Sequence, residues 1–168
     1  MRDFITATRE RTVVYDGGMG ATLEQFERLS LQHDYRLPGR CHEALVLNRP
    51  DVIEGVHSSM IDAGADVLET DTFQASRLKL SEWGLEAHTH EINLKAAQIA
   101  RRAAGEHNFV AGAIGPTGFL PASDDPTLGA ITFAELKTCF TEQATGLIEG
   151  GVDLIIIETA QDILEVKA

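Results

Sequence analysis

Residues 60–70 read MIDAGADVLET and residues 147–159 read LIEGGVDLIIIET. Each runs from a helix end through glycine to an aspartate, then into an apolar strand, then to Glu-Thr. Continuous apolar strands alternating with helices must be covered on both faces, so the recurrence predicts repeated β/α units around a parallel sheet. A (β/α) barrel and a doubly wound sheet both satisfy the pattern. In either one, ligands gather at the carboxyl ends of the strands.

Outward from these two stretches the same grammar continues. Residues 11–15 (RTVVY) are short, β-branched and stopped by Asp16-Gly17-Gly18, which predicts a buried strand and a turn, with a helix over 21–29 behind it. Pro50 suits a first helical turn, Ile53, Val56 and Met60 fall at helical spacing, and Gly64 closes that helix. A second strand is expected over 66–73 and helices over 74–83 and 90–105, the latter with Ile92, Ala96, Ile99, Ala100 and Ala103 on one face. A third strand is expected over 109–118, followed by a loop over 116–130 rich in Pro, Ser, Asp and Gly. Thr132 and Glu135 then form a T-x-x-E capping box for a helix ended by Gly150-Gly151. A fourth strand follows over 152–159 and a last helix begins at Asp162. The strand tips therefore carry Asp16, then Glu69 to Thr72, then Gly115-Pro116-Thr117, then Glu158-Thr159.

The chain of 168 residues is 43% hydrophobic, enough for one core. Lys and Arg number 14 against 26 Asp and Glu, a formal charge of −12 that repels phosphate backbones and anionic lipid, so neither nucleic acid nor membrane is an expected partner. The amino terminus lacks the apolar centre of a secretory signal, and Cys41 and Cys139 make no disulfide framework, which together predict a cytoplasmic protein.

Asp16-Gly17-Gly18-Met19-Gly20 does not read as a nucleotide loop. Leu23 stands where the third glycine of a dinucleotide fingerprint belongs, no Gly-Lys-Ser/Thr follows, and Asp16 would set a negative charge against phosphates. Two readings remain: a tight turn in which glycine supplies positive φ, or close approach of bare backbone to a small ligand whose cationic group Asp16 holds.

Taken together, residues 16–25 (DGGMGATLEQ), 41–53 (CHEALVLNRPDVI), 63–80 (AGADVLETDTFQASRLKL), 111–118 (AGAIGPTG) and 150–168 (GGVDLIIIETAQDILEVKA) resemble the homocysteine S-methyltransferase family. The resemblance is strongest to the homocysteine-binding domains of its cobalamin-dependent members, and covers nearly all the chain from about Thr12 onward. It implies a (β/α)8 TIM barrel and transfer of a methyl group to the sulfur of homocysteine. By the same resemblance Asp16 and Glu158 line the homocysteine site near the substrate ammonium, a role that charge-assisted hydrogen bonds suit. Gly17 and Gly18 would admit the substrate to the backbone, with Thr159, Thr70, Asp71 and Thr72 as further candidates.

The resemblance also implies Zn²⁺ held by three cysteines on later strands, beyond Ala168. A thiol of pKa about 8.5 is mostly protonated at neutral pH, and zinc makes it a thiolate. Methylcobalamin is the implied donor, recharged from methyltetrahydrofolate on other modules, although relatives using S-methylmethionine or betaine share the motifs. Cys139 is expected to pack within its helix, and Cys41-His42 lacks a third nearby ligand, so no metal ligands are assigned here. His57, His88 and His90 read as helix residues and Trp83 as a packed helix end. A (β/α)8 barrel takes about 250 residues, so residues 1–168 are expected to form its N-terminal half, about four β/α units. The open strand edges would then favour self-association or a complementary half. Two other classes of function also fit the residues: a non-catalytic half-barrel scaffold, or an unrelated barrel enzyme using Asp16 and Glu158 as an acid/base pair.

Overall fold

The computed structural model describes residues 3–26, 28–127 and 129–168. The expected helix over 21–29 and the expected loop over 116–130 each include one residue, Glu27 and Leu128, that lies outside these. The elements in order are α1 (Phe4–Glu10), α2 (Met19–Phe26), a π turn (Leu31–Tyr35), a 3₁₀ turn (His42–Ala44), α3 (Leu45–Asn48) and α4 (Pro50–Asp62). Then come β1 (Val67–Glu69), α5 (Arg77–Ser81), a 3₁₀ turn (Glu86–His88), α6 (Thr89–Ala104), β2 (Phe109–Ile114), α7 (Phe133–Glu149), β3 (Leu154–Ile157) and α8 (Ile163–Lys167).

The three strands form a parallel sheet in the order β1-β2-β3. Every residue of the central β2 is buried, as a strand covered on both faces must be. The first expected strand, over 11–15, is reduced to a single parallel bridge from Tyr15 to Val67. Its pairing is made in part by side chains. Val67 N–H donates to Val14 O and Asp16 N–H to Val67 O, but the flanking donors go to carboxylates, Val14 N–H to Asp66 Oδ2 at 2.9 Å and Glu69 N–H to Asp16 Oδ2 at 3.0 Å. Two aspartates thus complete a ladder that the backbone leaves unfinished.

The recurring aspartate has the same task in both repeats. Asp66 N–H donates to Val14 O while its carboxylate accepts from Val14 N–H; Asp153 N–H donates to Val110 O while its carboxylate accepts from Val110 N–H at 2.8 Å. Each is also paired with an arginine, Arg11 or Arg101. The aspartate at each strand start clasps the neighbouring chain and sets the parallel register.

The capping box at Thr132 and Glu135 is present at the start of α7, and Pro50 opens α4 as expected. Between α4 and β1, Gly64 adopts φ +101. The main core gathers Leu23, Leu45, Ile53, Val56, Leu80 and Ile92 between the helices, with Trp83 packed against it. An added Cβ at Gly39 would lie 2.7 Å from the Trp83 ring, so that glycine makes room for the indole. Cys139 packs in α7, His88 and His90 pair with Glu91 and Glu149, and His57 is fully buried on α4. No helix among the described residues is long and apolar enough to cross a membrane.

Candidate functional site

Parallel strands deliver their carboxyl ends to one side of the sheet. There the tips enclose a cleft of about 590 Å³ lined by Asp16 to Gly20, Glu69 to Asp71, Phe73, Gln74, Glu158 and Thr159, with Arg40, His42 and Glu43 from the segment before α3. Of the residues singled out from sequence, Asp16, Gly17, Gly18, Thr70, Asp71, Glu158 and Thr159 all line it. Thr72 does not. It is fully buried, its hydroxyl donates to Ala113 O at 2.7 Å, and its carbonyl accepts from Gln143 Nε2. Thr70 Oγ1 lies 2.6 Å from Thr72 Oγ1 and accepts from Ala113 N–H, so this hydroxyl pair ties the β1 tip to β2.

The two glycines behind Asp16 bear on the tight-turn reading. Neither Gly17 nor Gly18 has positive φ. A Cβ at Gly18 would meet nothing within 4 Å, and one at Gly17 would make only ordinary contact with Met60. The tight-turn reading is therefore corrected, since neither conformation nor packing demands glycine here. What their absence of side chain leaves is open space in the cleft.

Thr159 adopts φ +60, a conformation that costs a β-branched residue energy and that collects at functional sites. It turns the chain sharply after Glu158 while Glu158 N–H remains bonded to Ile114 O.

The electrostatics are set by carboxyls crowded at low solvation. Burial pushes Asp16 up to about 7, with the charges of Glu69 and Glu158 adding to it against the bond from Glu69 N–H. Glu69 is raised by burial and by Glu158, and Glu158 by burial. Asp16 and Glu158 thus act on one shared volume, and a cation there would relieve all three groups. From the tip that carries Glu69 to Thr72, the sequence offers only Thr70, Asp71 and Thr72 as site candidates, yet Glu69 lines the cleft as well. The signal that could have found it is the repeat itself, because Glu69-Thr70 occupies the place of Glu158-Thr159.

A second wall is made by the segment before α3. Glu43 is buried, accepting from Gln74 N–H at 2.7 Å and from Cys41 Sγ at 3.4 Å. Burial, with Glu43 beside it, holds the Asp71 carboxyl well above the usual carboxylate range, and Asp71 Oδ2 has no hydrogen-bond partner. His42 Nδ1 lies 3.1 Å from the Tyr35 hydroxyl, and burial lowers its pKa. Burial and Glu43 raise the Cys41 thiol. Among the described residues no group of three or more His, Cys, Asp or Glu could hold a metal ion.

A parallel α/β sheet with acidic groups converging at its strand carboxyl ends puts this cleft where such folds gather their ligands. The family profile described as homocysteine S-methyltransferase matches residues 13–168. The chain belongs to the homocysteine S-methyltransferase family, which excludes the unrelated-barrel reading. It is 36% identical over 172 aligned positions to methionine synthase of Mycobacterium tuberculosis, an alignment spanning 99% of this chain and 14% of that protein. Its fold matches crystal structures of the homocysteine methyltransferase MmuM from Escherichia coli, oxidized form with TM-score 0.79 and metallated form with 0.78. Both are 21% identical and each match covers 99% of this chain and 60% of the enzyme. The chain therefore spans about a seventh of that methionine synthase and 60% of each MmuM chain, and the parallel α/β architecture is of the TIM-barrel family.

Proposed function

We propose that this cleft binds homocysteine by its ammonium end, and that the chain is the substrate-grasping, N-terminal half of a barrel that methylates the homocysteine sulfur to methionine. Asp16 and Glu158 accept the ammonium hydrogens, Gly17 and Gly18 let the ligand lie against the backbone, and Thr159 orients Glu158. Thr70 and Asp71 form the adjoining wall. The observation that carries the reading is the convergence of Asp16, Glu69 and Glu158, desolvated and mutually repelling, on a volume floored by two glycines that the fold does not require.

Geometry limits what these residues do to binding and orientation, the part of catalysis that turns a bimolecular encounter into a positioned one. The family resemblance implies zinc, methylcobalamin and methyltetrahydrofolate. The described residues do not fit a zinc site, since Cys41 is engaged by Glu43 and Cys139 packs in α7, so no step is routed through a metal here.

Isothermal titration of the chain with homocysteine tests the reading. Binding is expected, with Asp16→Asn and Glu158→Gln each weakening it about tenfold or more, the worth of a charge-assisted hydrogen bond. Binding unaffected by both substitutions would remove Asp16 and Glu158 from the site. No binding at all would favour the half-barrel scaffold.

A further inference from the structure

Phe73 and Gln74 line the cleft from the short segment between β1 and α5, which has neither helix nor strand of its own to hold it. Three carbonyls and one amide of Thr72 to Ala75 are nonetheless bonded, each to a different element. Thr72 O accepts from Gln143 Nε2 of α7 at 2.9 Å, Phe73 O from Gly115 N–H just past β2 at 3.1 Å, and Ala75 O from Asn93 Nδ2 of α6 at 2.8 Å. Gln74 N–H donates to Glu43 Oε1 at 2.7 Å. Glu43 in turn accepts from Cys41 Sγ at its other oxygen, so the segment carries its hold across to the turn before α3.

Asn93 and Gln143 are fully buried, yet Asn93 Oδ1 and Gln143 Oε1 have no hydrogen-bond partner among the described residues. An acceptor buried unpaired costs stability, and an apolar side chain of the same shape avoids that cost. Packing alone therefore does not call for an amide at either position. What the amides add is a donor. Gln143 gives its own to Thr72 O, and Asn93 shares its own between Ala75 O and Thr89 O of its own helix. A close crossing brings the two helices together beside the segment: a Cβ on Gly146 of α7 would lie 3.0 Å from Asn93 Cβ and 2.9 Å from His90 O. Neither amide lines the cleft.

We propose that Asn93 and Gln143 are positioning residues for the cleft. From α6 and α7 they fix the carbonyls at the two ends of segment 72–75, and through Gln74 N–H this sets the place of Glu43 and the lining beside it. The consequence for affinity rests on the reading of the cleft as a homocysteine site; the ordering of the segment does not.

The first variant is Gln143→Met, which keeps an unbranched side chain, removes the donor and the unpaired acceptor together, and leaves Thr72 O its bond from Ala75 N–H. Amide hydrogen exchange of the full chain without ligand should show Gln74 N–H exchanging about tenfold faster, with the amides of β2 at their unaltered rates and the urea midpoint unchanged or raised. Homocysteine affinity by calorimetry should fall about fivefold, as the wall must be ordered on binding. Asn93→Leu should speed the same Gln74 amide. A merely structural role would lower the urea midpoint and speed the β2 amides together with Gln74. The proposal is overturned by that pattern, by an unchanged Gln74 rate in Gln143→Met, or by a faster Gln74 with homocysteine affinity intact. An unchanged Gln74 rate in Asn93→Leu overturns the role of Asn93. If the unaltered chain binds no homocysteine, the homocysteine reading falls by itself, and the exchange rates decide the positioning: a rise confined to Gln74 and its neighbours supports it, and an unchanged rate overturns it.

Discussion

Asp16 is buried beside two other acids and is raised from 3.8 to about 7, so it changes charge within the neutral range. Only the ionised form attracts an ammonium. Homocysteine affinity is therefore expected to fall as pH drops from 8 to 6, roughly, with proton release on binding, and Asp16→Asn should bind weakly with a flat profile over the same interval. The linkage to stability has the opposite direction. The folded chain holds this proton more tightly than the unfolded chain, so the group's contribution is full below 3.8 and is lost as pH climbs through about 7. Asn retains a carbonyl oxygen for Glu69 N–H without the charge, and Asp16→Asn should be more stable than the unaltered chain by about 1 kcal/mol at pH about 8, discounted for partial exposure. Loss of binding with a gain in urea midpoint would mark a residue kept for function at the expense of the fold. His57 behaves differently: it is fully buried, both ring nitrogens lack partners, and burial lowers its pKa from 6.5 to about 4. The unfolded chain takes up this proton first, so stability falls as pH drops from 6.5 through about 4, by roughly 3 kcal/mol in total. His57→Leu should flatten that part of the stability profile in acid denaturation.

At the scale of elements, what could be read in the sequence was what local chemistry dictates. Thr132 with Glu135, Pro50 at its helix start and the buried run of β2 all carry their structure in short patterns, and each stands as expected. The short strand over 11–15 was overextended for a reason invisible to periodicity: Asp66 and Asp16 take ladder hydrogen bonds that a longer strand would take from backbone. The π turn at Leu31–Tyr35 and the wall built from Arg40 to Glu43 were also beyond reach, because their places depend on tertiary partners such as Asn48, which donates to Tyr35 O. At the cleft, the strand-tip positions of Asp16 and Glu158 follow from the apolar runs they end, while their role near a substrate ammonium is what the family resemblance implies. Glu43 is not legible, since it lies in a 3₁₀ turn and its place rests on burial and a bond from the distant Gln74 N–H. The aspartate clasp makes its own prediction. Asp153→Ala leaves Val110 N–H without its acceptor and Arg101 without its carboxylate, though still bonded to backbone carbonyls, and should cost about 2 kcal/mol in urea unfolding. Asp153→Asn, which still offers an oxygen to Val110 N–H, should recover about half of that. Equal losses for the two variants would place the effect in the ion pair instead.

At the scale of the whole molecule, an apolar region is left uncovered. In the described sheet β3 pairs only with β2, and Ile157, Ile163 and Val166 near its carboxyl end are 52%, 62% and 39% exposed. An unpaired strand edge flanked by apolar side chains recruits another chain unless something opposes it. What opposes it here is charge, a formal net −12 that makes copies repel. The two effects respond differently to salt, because screening at about 0.5 M shortens the reach of the repulsion to a few ångströms while leaving apolar contact intact. Self-association is therefore expected to grow with both protein concentration and ionic strength in size-exclusion chromatography with light scattering. Ile157→Lys places a charge on the exposed edge strand, a device that natural sheets use against pairing, and should hold the chain monomeric at high salt. Because Ile157 is not among the residues lining the cleft, the same variant should bind homocysteine as the unaltered chain does. A monomer at every concentration and salt would show that the exposed isoleucines draw no second copy, and an Ile157→Lys chain that associates as strongly as the original would move the contact away from β3.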